Sequence, residues 1–193
     1  MKGRPLILAS ASPRRRQLLR TLRIPFQVVP SRVPETSERS TPRGIVLDLA
    51  LRKARAVAEG RKRALVLGAD TLVVCRGEVL NKPKDAADSR RILRLLNGRW
   101  QRVYTGLALV DSESGRSWKE AAVSRVKARK LAPEELERFV GRHMDKAGAY
   151  AVQDGADPFI EKVVGPRDNV VGLPLANVRS LLRRALRAGV RRP

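Results

Sequence analysis

One cysteine, Cys75, and one histidine, His143, are all the chain offers of either type. A lone cysteine excludes an internal disulfide and a cysteine-built metal centre, and leaves Cys75 to pack as a small apolar residue. A lone histidine excludes a multi-histidine metal site and argues against a Ser-His-Asp triad. Aromatics are equally scarce: two tryptophans, two tyrosines and three phenylalanines make a poor supply for a base-stacking platform. No apolar run approaches the roughly 20 residues that span a bilayer. The apolar stretch after Met1-Lys2-Gly3-Arg4-Pro5 is too short for a secretory leader. The expectation is a cytoplasmic protein with no membrane partner. Neither a Walker sequence nor a G-x-G-x-x-G occurs, so neither a P-loop nor a Rossmann site is supported.

What the chain has in excess is positive charge, with 41 Lys and Arg against 19 Asp and Glu and a net charge of +22. Such a balance invites a nucleic-acid reading. The arginines, however, are spread along the chain (Arg23, Arg43, Arg61, Arg90, Arg125, Arg142, Arg179) with no single basic tract. Together with the few aromatics, this counts against nucleic acid as a partner, while the positive field steers any anionic substrate. At 193 residues and 42% hydrophobic, the chain is expected to bury a core as one domain or two closely joined lobes.

Strands and helices alternate early. Leu6 to Ala9 reads as an interior strand, and Ser12 and Pro13 as the cap and first turn of a helix continued by Leu18, Leu19 and Leu22. Pro25 to Pro30 is a short strand, Ser31 to Pro42 a polar loop, and Gly44 to Gly60 an amphipathic helix. Ala64 to Cys75 is a long apolar strand that turns back through Glu78 to Leu80. Asp85 to Leu96 is helical and stops at Asn97-Gly98. Gln101 to Val110 and Trp118 to Lys130 form a hairpin whose alternation suggests one exposed face. Pro133 to Gly141 is a short helix, Phe159 to Val164 a strand, and Pro174 to Leu186 a final amphipathic helix. The segment Asn169 to Leu175 reads as a rigid strand-to-helix turn with a structural role. This order predicts an α/β fold on a mixed sheet flanked by helices.

Candidate chemistry begins at Ser10-Ala11-Ser12-Pro13-Arg14-Arg15-Arg16. Three guanidinium groups in a helix's first turn oppose the helix dipole, which either an anionic ligand relieves or water does, at a surface helix whose arginines point outward. Asp70 is the sharpest single residue, because it interrupts an apolar strand. A buried carboxylate must be paired, metal-bound or at a cleft. Lys82, in Asn81-Lys82-Pro83, can return close to Asp70 across the hairpin, and Lys53 can reach along its helix into a cleft. Thr71 offers a hydroxyl on the other side of the pleat, and Glu35 an acid in the polar loop. Tyr150 and Gln153, after a run of small residues, can stack on and hydrogen-bond a flat ligand. Cations, carboxylates and an amide together suit phosphate-ester or phosphoanhydride chemistry.

These residues, with Lys53-Ala54, Gly68-Ala69-Asp70-Thr71, Leu80-Asn81-Lys82-Pro83, Val103-Tyr104-Thr105-Gly106, Asp145 through Gln153 and Asn169 through Leu175, run in order over nearly the whole chain. As a set the chain resembles the Maf nucleotide pyrophosphatases. The resemblance implies a single domain over residues 1–193 in two lobes, related to the inosine-triphosphate pyrophosphatases, with the active site in the central cleft. It implies hydrolysis of nucleoside triphosphates to monophosphate and pyrophosphate with Mg²⁺ or Mn²⁺. The segment Gly148-Ala149-Tyr150-Ala151-Val152-Gln153 is similar to the branch acting on dTTP and UTP. In these terms Asp70 is the general base or a metal ligand, and Glu35 a second metal contact. Ser10, Arg14, Arg15, Lys53, Thr71, Lys82 and Gln153 bind substrate, and Arg14, Thr71 and Gln153 set specificity. Arg16 is outside the family pattern and is expected on the surface.

The sequence departs from the pattern where Arg99-Trp100-Gln101-Arg102 stands for a family histidine, and where Pro34 rather than aspartate precedes Glu35. The family's association with septum formation keeps a cell-division or nucleic-acid-binding regulator as the rival reading. A pyrophosphatase for another modified nucleotide, such as 7-methyl-GTP, is the enzymatic alternative. A homodimer is what the resemblance implies about assembly.

Overall fold

The computed structural model describes residues 4–150 and 159–190. Among these residues seven strands form a mixed sheet: β1 (Leu6–Leu8), β2 (Phe26–Val28), β3 (Leu65–Cys75), β4 (Glu78–Leu80), β5 (Trp100–Asp111), β6 (Ser117–Ala128) and β7 (Ile160–Val164). Their order is β2-β1-β3-β5-β6-β7, with β4 also paired to β3. β1 runs parallel to β2 and β3, whereas β3 with β4 and β6 with β7 are antiparallel. The helices are α1 (Pro13–Arg20), α2 (Pro42–Ala58), α3 (Ala86–Leu96), α4 (Pro133–Glu137), α5 (Arg167–Val171) and α6 (Leu175–Val190). No helix among the described residues is long and apolar enough to cross a membrane.

The chain divides into two compact units. The first comprises residues 1–70, 105–122 and 172–193. Its central strands, β1, β3 and β5, bury both faces, as a period of two requires when each face is covered. Leu6, Leu8, Leu65, Leu67, Leu107 and Leu109 pack with Leu19 of α1 and Val178 and Leu181 of α6. On the opposite face, Ile7, Val66, Ala108 and Val110 pack with Ala50, Ala54 and Val57 of α2. The expected alternation with one exposed face is present from Trp100 to Val103 of β5 and from Val123 to Val126 of β6, but the double covering removes it from Thr105 to Asp111, which are all buried.

The second unit comprises residues 71–104 and 123–171. Its core joins Val73, Cys75 and Leu80 to Ile92, Leu93 and Leu96 of α3 and to Phe139, Tyr150 and Phe159. Cys75 packs there as the small apolar residue expected of it. The segment before α6 is not a simple turn: residues Arg167–Val171 are helical. Asn169, fully buried, donates to Val103 O at 3.1 Å and to Ser124 Oγ at 2.9 Å. A buried amide so paired is a structural pin.

Candidate functional site

The strand-to-helix turn forms as its residues dictate. Ser12, in extended conformation, accepts a hydrogen bond from Arg15 N at 3.4 Å, and Pro13 opens α1. Ser10, buried, accepts from Ser12 N at 3.2 Å and from Arg15 Nη1 at 3.4 Å. Arg15 then turns back across its own unit, donating Nη1 to Ala69 O and Nε to Gly172 O, both at 2.9 Å. One guanidinium therefore ties α1 to the backbone just before Asp70 and to the entry of α6. Burial holds the Arg15 pKa below the ordinary arginine value, while the charges of Asp70 and Glu35 pull it upward and Arg14 opposes them. It remains a cation at neutral pH, half-buried and within electrostatic reach of two carboxylates.

Lys53 is the centre of the arrangement. Its Nζ donates to Asp70 Oδ1 at 2.6 Å and to Glu35 Oε1 at 2.7 Å. Lys53 and Asp70 are buried, whereas the Glu35 side chain is about half exposed. Asp70 is thus the paired carboxylate of the three possibilities open from sequence, and its partner is Lys53. The loop bearing Glu35 is itself tied to α2: Ser37 Oγ donates to Asp48 Oδ2 at 2.8 Å, and Arg52 Nη1 donates to Thr36 O.

What brings Lys53 to Asp70 is a pair of glycines. A Cβ on Gly68 of β3 would lie 2.1 Å from Ala50 O and 2.9 Å from Ala54 N. A Cβ on Gly106 of β5 would lie 2.3 Å from Val46 O. Both obstacles are the backbone of α2, so the helix rests directly on the sheet at two points. Sequence reasoning quoted both glycines as part of a pattern but missed this role. Its only signal was glycine inside strands, which marks close backbone approach.

Ser10, Arg14, Arg15, Glu35, Lys53 and Asp70 all belong to the first unit, and all but Arg14 are joined through the contacts above. Arg14 stands beside Arg15 at the start of α1, half-buried. Thr71 and Lys82 belong to the second unit, Lys82 exposed just beyond β4. Gln153 lies outside the described residues. Tyr150 is not available for stacking on a ligand, because its ring is buried and tilted on Phe159 at 6.3 Å between centroids. Its hydroxyl lies close to the buried Gln101 amide without closing a hydrogen bond. Burial pushes the Tyr150 phenol far above its usual range.

Among the described residues no three His, Cys, Asp or Glu side chains gather as a metal cluster. The donor set nonetheless suits a hard cation. Two carboxylate oxygens meet on one ammonium, so they are no further apart than those two hydrogen bonds allow. Mg²⁺ characteristically takes one or two carboxylates and completes its shell with water and substrate phosphates.

The pattern of the Maf-like protein family matches residues 5–185. A relative from Elusimicrobium minutum (strain Pei191), named dTTP/UTP pyrophosphatase, is 49% identical over 170 residues, 88% of this chain and 92% of the relative. One from Moorella thermoacetica bearing the same name is 48% identical over 180 residues, 92% and 93% of the two chains. A third, from Citrifermentans bemidjiense, is 45% identical over 186 residues, 95% and 96%. The solved nucleoside-triphosphatase / dITP/XTP pyrophosphatase of Mycobacterium abscessus is more distant, at 19% identity and a TM-score of 0.44 over 97% of this chain and 98% of that one.

Proposed function

The chain belongs to the Maf-like protein family, and from that premise we propose that it hydrolyses dTTP and UTP to the monophosphate and pyrophosphate. The relatives' shared name supports the substrate. The observation that carries the chemistry is the Lys53 ammonium held between Asp70 and Glu35, with the Arg15 guanidinium anchored on Ala69 O, the residue next to Asp70.

In this reading water attacks the α-phosphorus, the bond from that phosphorus to the bridging oxygen breaks, and pyrophosphate leaves with the bond's electron pair. Lys53 occupies Asp70 Oδ1, which leaves Oδ2 as the oxygen that would take the water's proton. Arg14, Arg15, Lys53 and Lys82 neutralise the triphosphate and the charge that grows on the departing pyrophosphate. Ser10 orders the turn that carries the two arginines and adds a hydroxyl toward the substrate. Glu35 and Asp70 would hold Mg²⁺ or Mn²⁺, which when bound supplies charge neutralisation at phosphate oxygens. Thr71, Arg14 and Gln153 would select the pyrimidine.

The family match spans residues of both units, which supports reading residues 1–193 as one catalytic domain. A cytoplasmic location follows from the nucleotide substrate, and a homodimer is the assembly we expect. The test is pyrophosphate release from all standard and several modified triphosphates with Mg²⁺, Mn²⁺ and Co²⁺. Preference for dTTP and UTP supports the proposal; preference for a purine such as 7-methyl-GTP, or no release at all, overturns it.

A further inference from the structure

The sequence disperses its arginines, but the fold gathers a subset. In the first unit, α1 and α6 cover the same face of the sheet, since both pack on the cluster containing Leu6, Leu8, Leu65 and Leu67. Neither helix contains an acidic residue. On α6 the buried positions are Val178, Leu181, Leu182 and Ala185. The opposite, outward face presents Arg179, Arg183 and Arg187, each a turn apart and all exposed. On α1 and the turn after it, Arg16, Arg20 and Arg23 are likewise exposed at helical spacing.

Several exposed arginines elsewhere have acids: Arg90 and Arg94 meet Glu137, Arg91 meets Glu78 and Asp88, and Arg184 on the flank of α6 meets Glu120. Others, such as Arg39, Arg55 and Arg76, are exposed and unpaired among the described residues but stand singly, so what sets α1 and α6 apart is the alignment of their arginines at helical spacing with no acid on either helix. None of the six outward arginines of α1 and α6 joins an ion pair among the described residues. Like charges one turn apart weaken an isolated helix, so the stripe is tolerated against local preference. Between its first two arginines and the start of α6 lies an open depression of about 350 Å³ lined by Leu175, Ala176, Arg179 and Arg183.

We infer that this outward face of α1 and α6 is a docking surface for the phosphate backbone of double-stranded nucleic acid, independent of the phosphoanhydride site. The three α6 guanidiniums recur every ~6 Å along the axis, a repeat suited to a continuous line of phosphates and not to a single anion. The stripe carries no aromatic residue. It therefore has no platform for unstacked bases, which is how single strands are held. It also lacks the aromatic wedge of a bilayer-seeking helix, Leu186 being its one large exposed apolar side chain among the described residues. Binding through phosphates alone is insensitive to sequence and steeply dependent on salt.

The test is fluorescence anisotropy of a short labelled duplex, the matched single strand and anionic lipid vesicles over a range of salt. The protein is compared with an Arg179→Gln, Arg183→Gln, Arg187→Gln variant and with Arg94→Gln. Duplex binding should be tighter than single-strand binding. The logarithmic salt slope should fall by about 0.9 for each stripe arginine removed, while Arg94→Gln leaves it unchanged. Pyrophosphate release and the circular dichroism spectrum should be retained in the triple variant, which separates lost docking from lost folding. The inference is overturned by an unchanged slope in the triple variant, by equal loss in Arg94→Gln, by preference for the single strand, or by binding to vesicles and not to the duplex.

Discussion

Adding one methyl group at Gly68 should disable the site without touching any of its charged residues. The Cβ of Gly68→Ala would stand 2.1 Å from the carbonyl oxygen of Ala50. Because the obstacle is helix backbone, no rotamer change relieves it, and α2 must move off β3 by about 1 Å in a core packed at crystal density. Lys53 lies on the next turn of that helix and Asp70 two residues along that strand. The same displacement stretches their 2.6 Å contact beyond hydrogen-bonding range. Overpacking of this kind costs about 1–3 kcal/mol. A 1 Å misplacement of catalytic groups lowers turnover on the order of 10²-fold. Gly106→Ala is the comparison, since it pushes α2 near Val46, two turns before Lys53. It should lose similar stability with a smaller loss of kcat. Urea unfolding and steady-state pyrophosphate release on both variants decide the matter. If Gly68→Ala keeps kcat within twofold, or if the two variants lose kcat equally, the positioning argument is wrong.

Arg15→Lys keeps the charge but cannot reach Ala69 O and Gly172 O together, so urea unfolding should show a loss of about 2 kcal/mol. Tyr150→Phe deletes a buried hydroxyl that has no hydrogen-bond partner among the described residues and should leave stability at neutral pH unchanged or higher by about 1 kcal/mol. The same variant carries a sign-specific pH test. Burial raises the folded-state Tyr150 pKa, so this tyrosine destabilises the fold once the unfolded chain's tyrosine ionises, above about pH 10. Wild type should lose stability there more steeply than Tyr150→Phe, as read by melting temperature against pH.

Local signals survived into the structure wherever the chain itself supplied the cause. Ser12 and Pro13 start α1 as expected, Asp85 caps α3 by accepting from Asp88 N at 2.8 Å, and Asn97 stops it. α2 begins two residues before Gly44 because Thr41 caps it and accepts from Gly44 N at 3.1 Å. Long-range pairing was less visible. An acid in an apolar strand announces that Asp70 has a partner, but several cations competed for that place. The choice of Lys53 depends on how closely α2 approaches the sheet, which Gly68 and Gly106 set. Tyr150 looked like a ligand contact because small residues surround it in sequence, yet Phe139, Phe159 and α3 enclose it in space. The α1 and α6 arginines looked dispersed because the sheet that aligns their helices joins residues far apart in the chain.

The most direct test of the account follows the products of dTTP with Mg²⁺ by phosphorus NMR, using wild type and a folded Asp70→Asn variant. Asparagine preserves an acceptor for Lys53 but removes the charge and the proton acceptor. The account predicts dTMP and pyrophosphate from wild type and neither from the variant. Release of dTDP and inorganic phosphate, or near-normal turnover by Asp70→Asn, would contradict it.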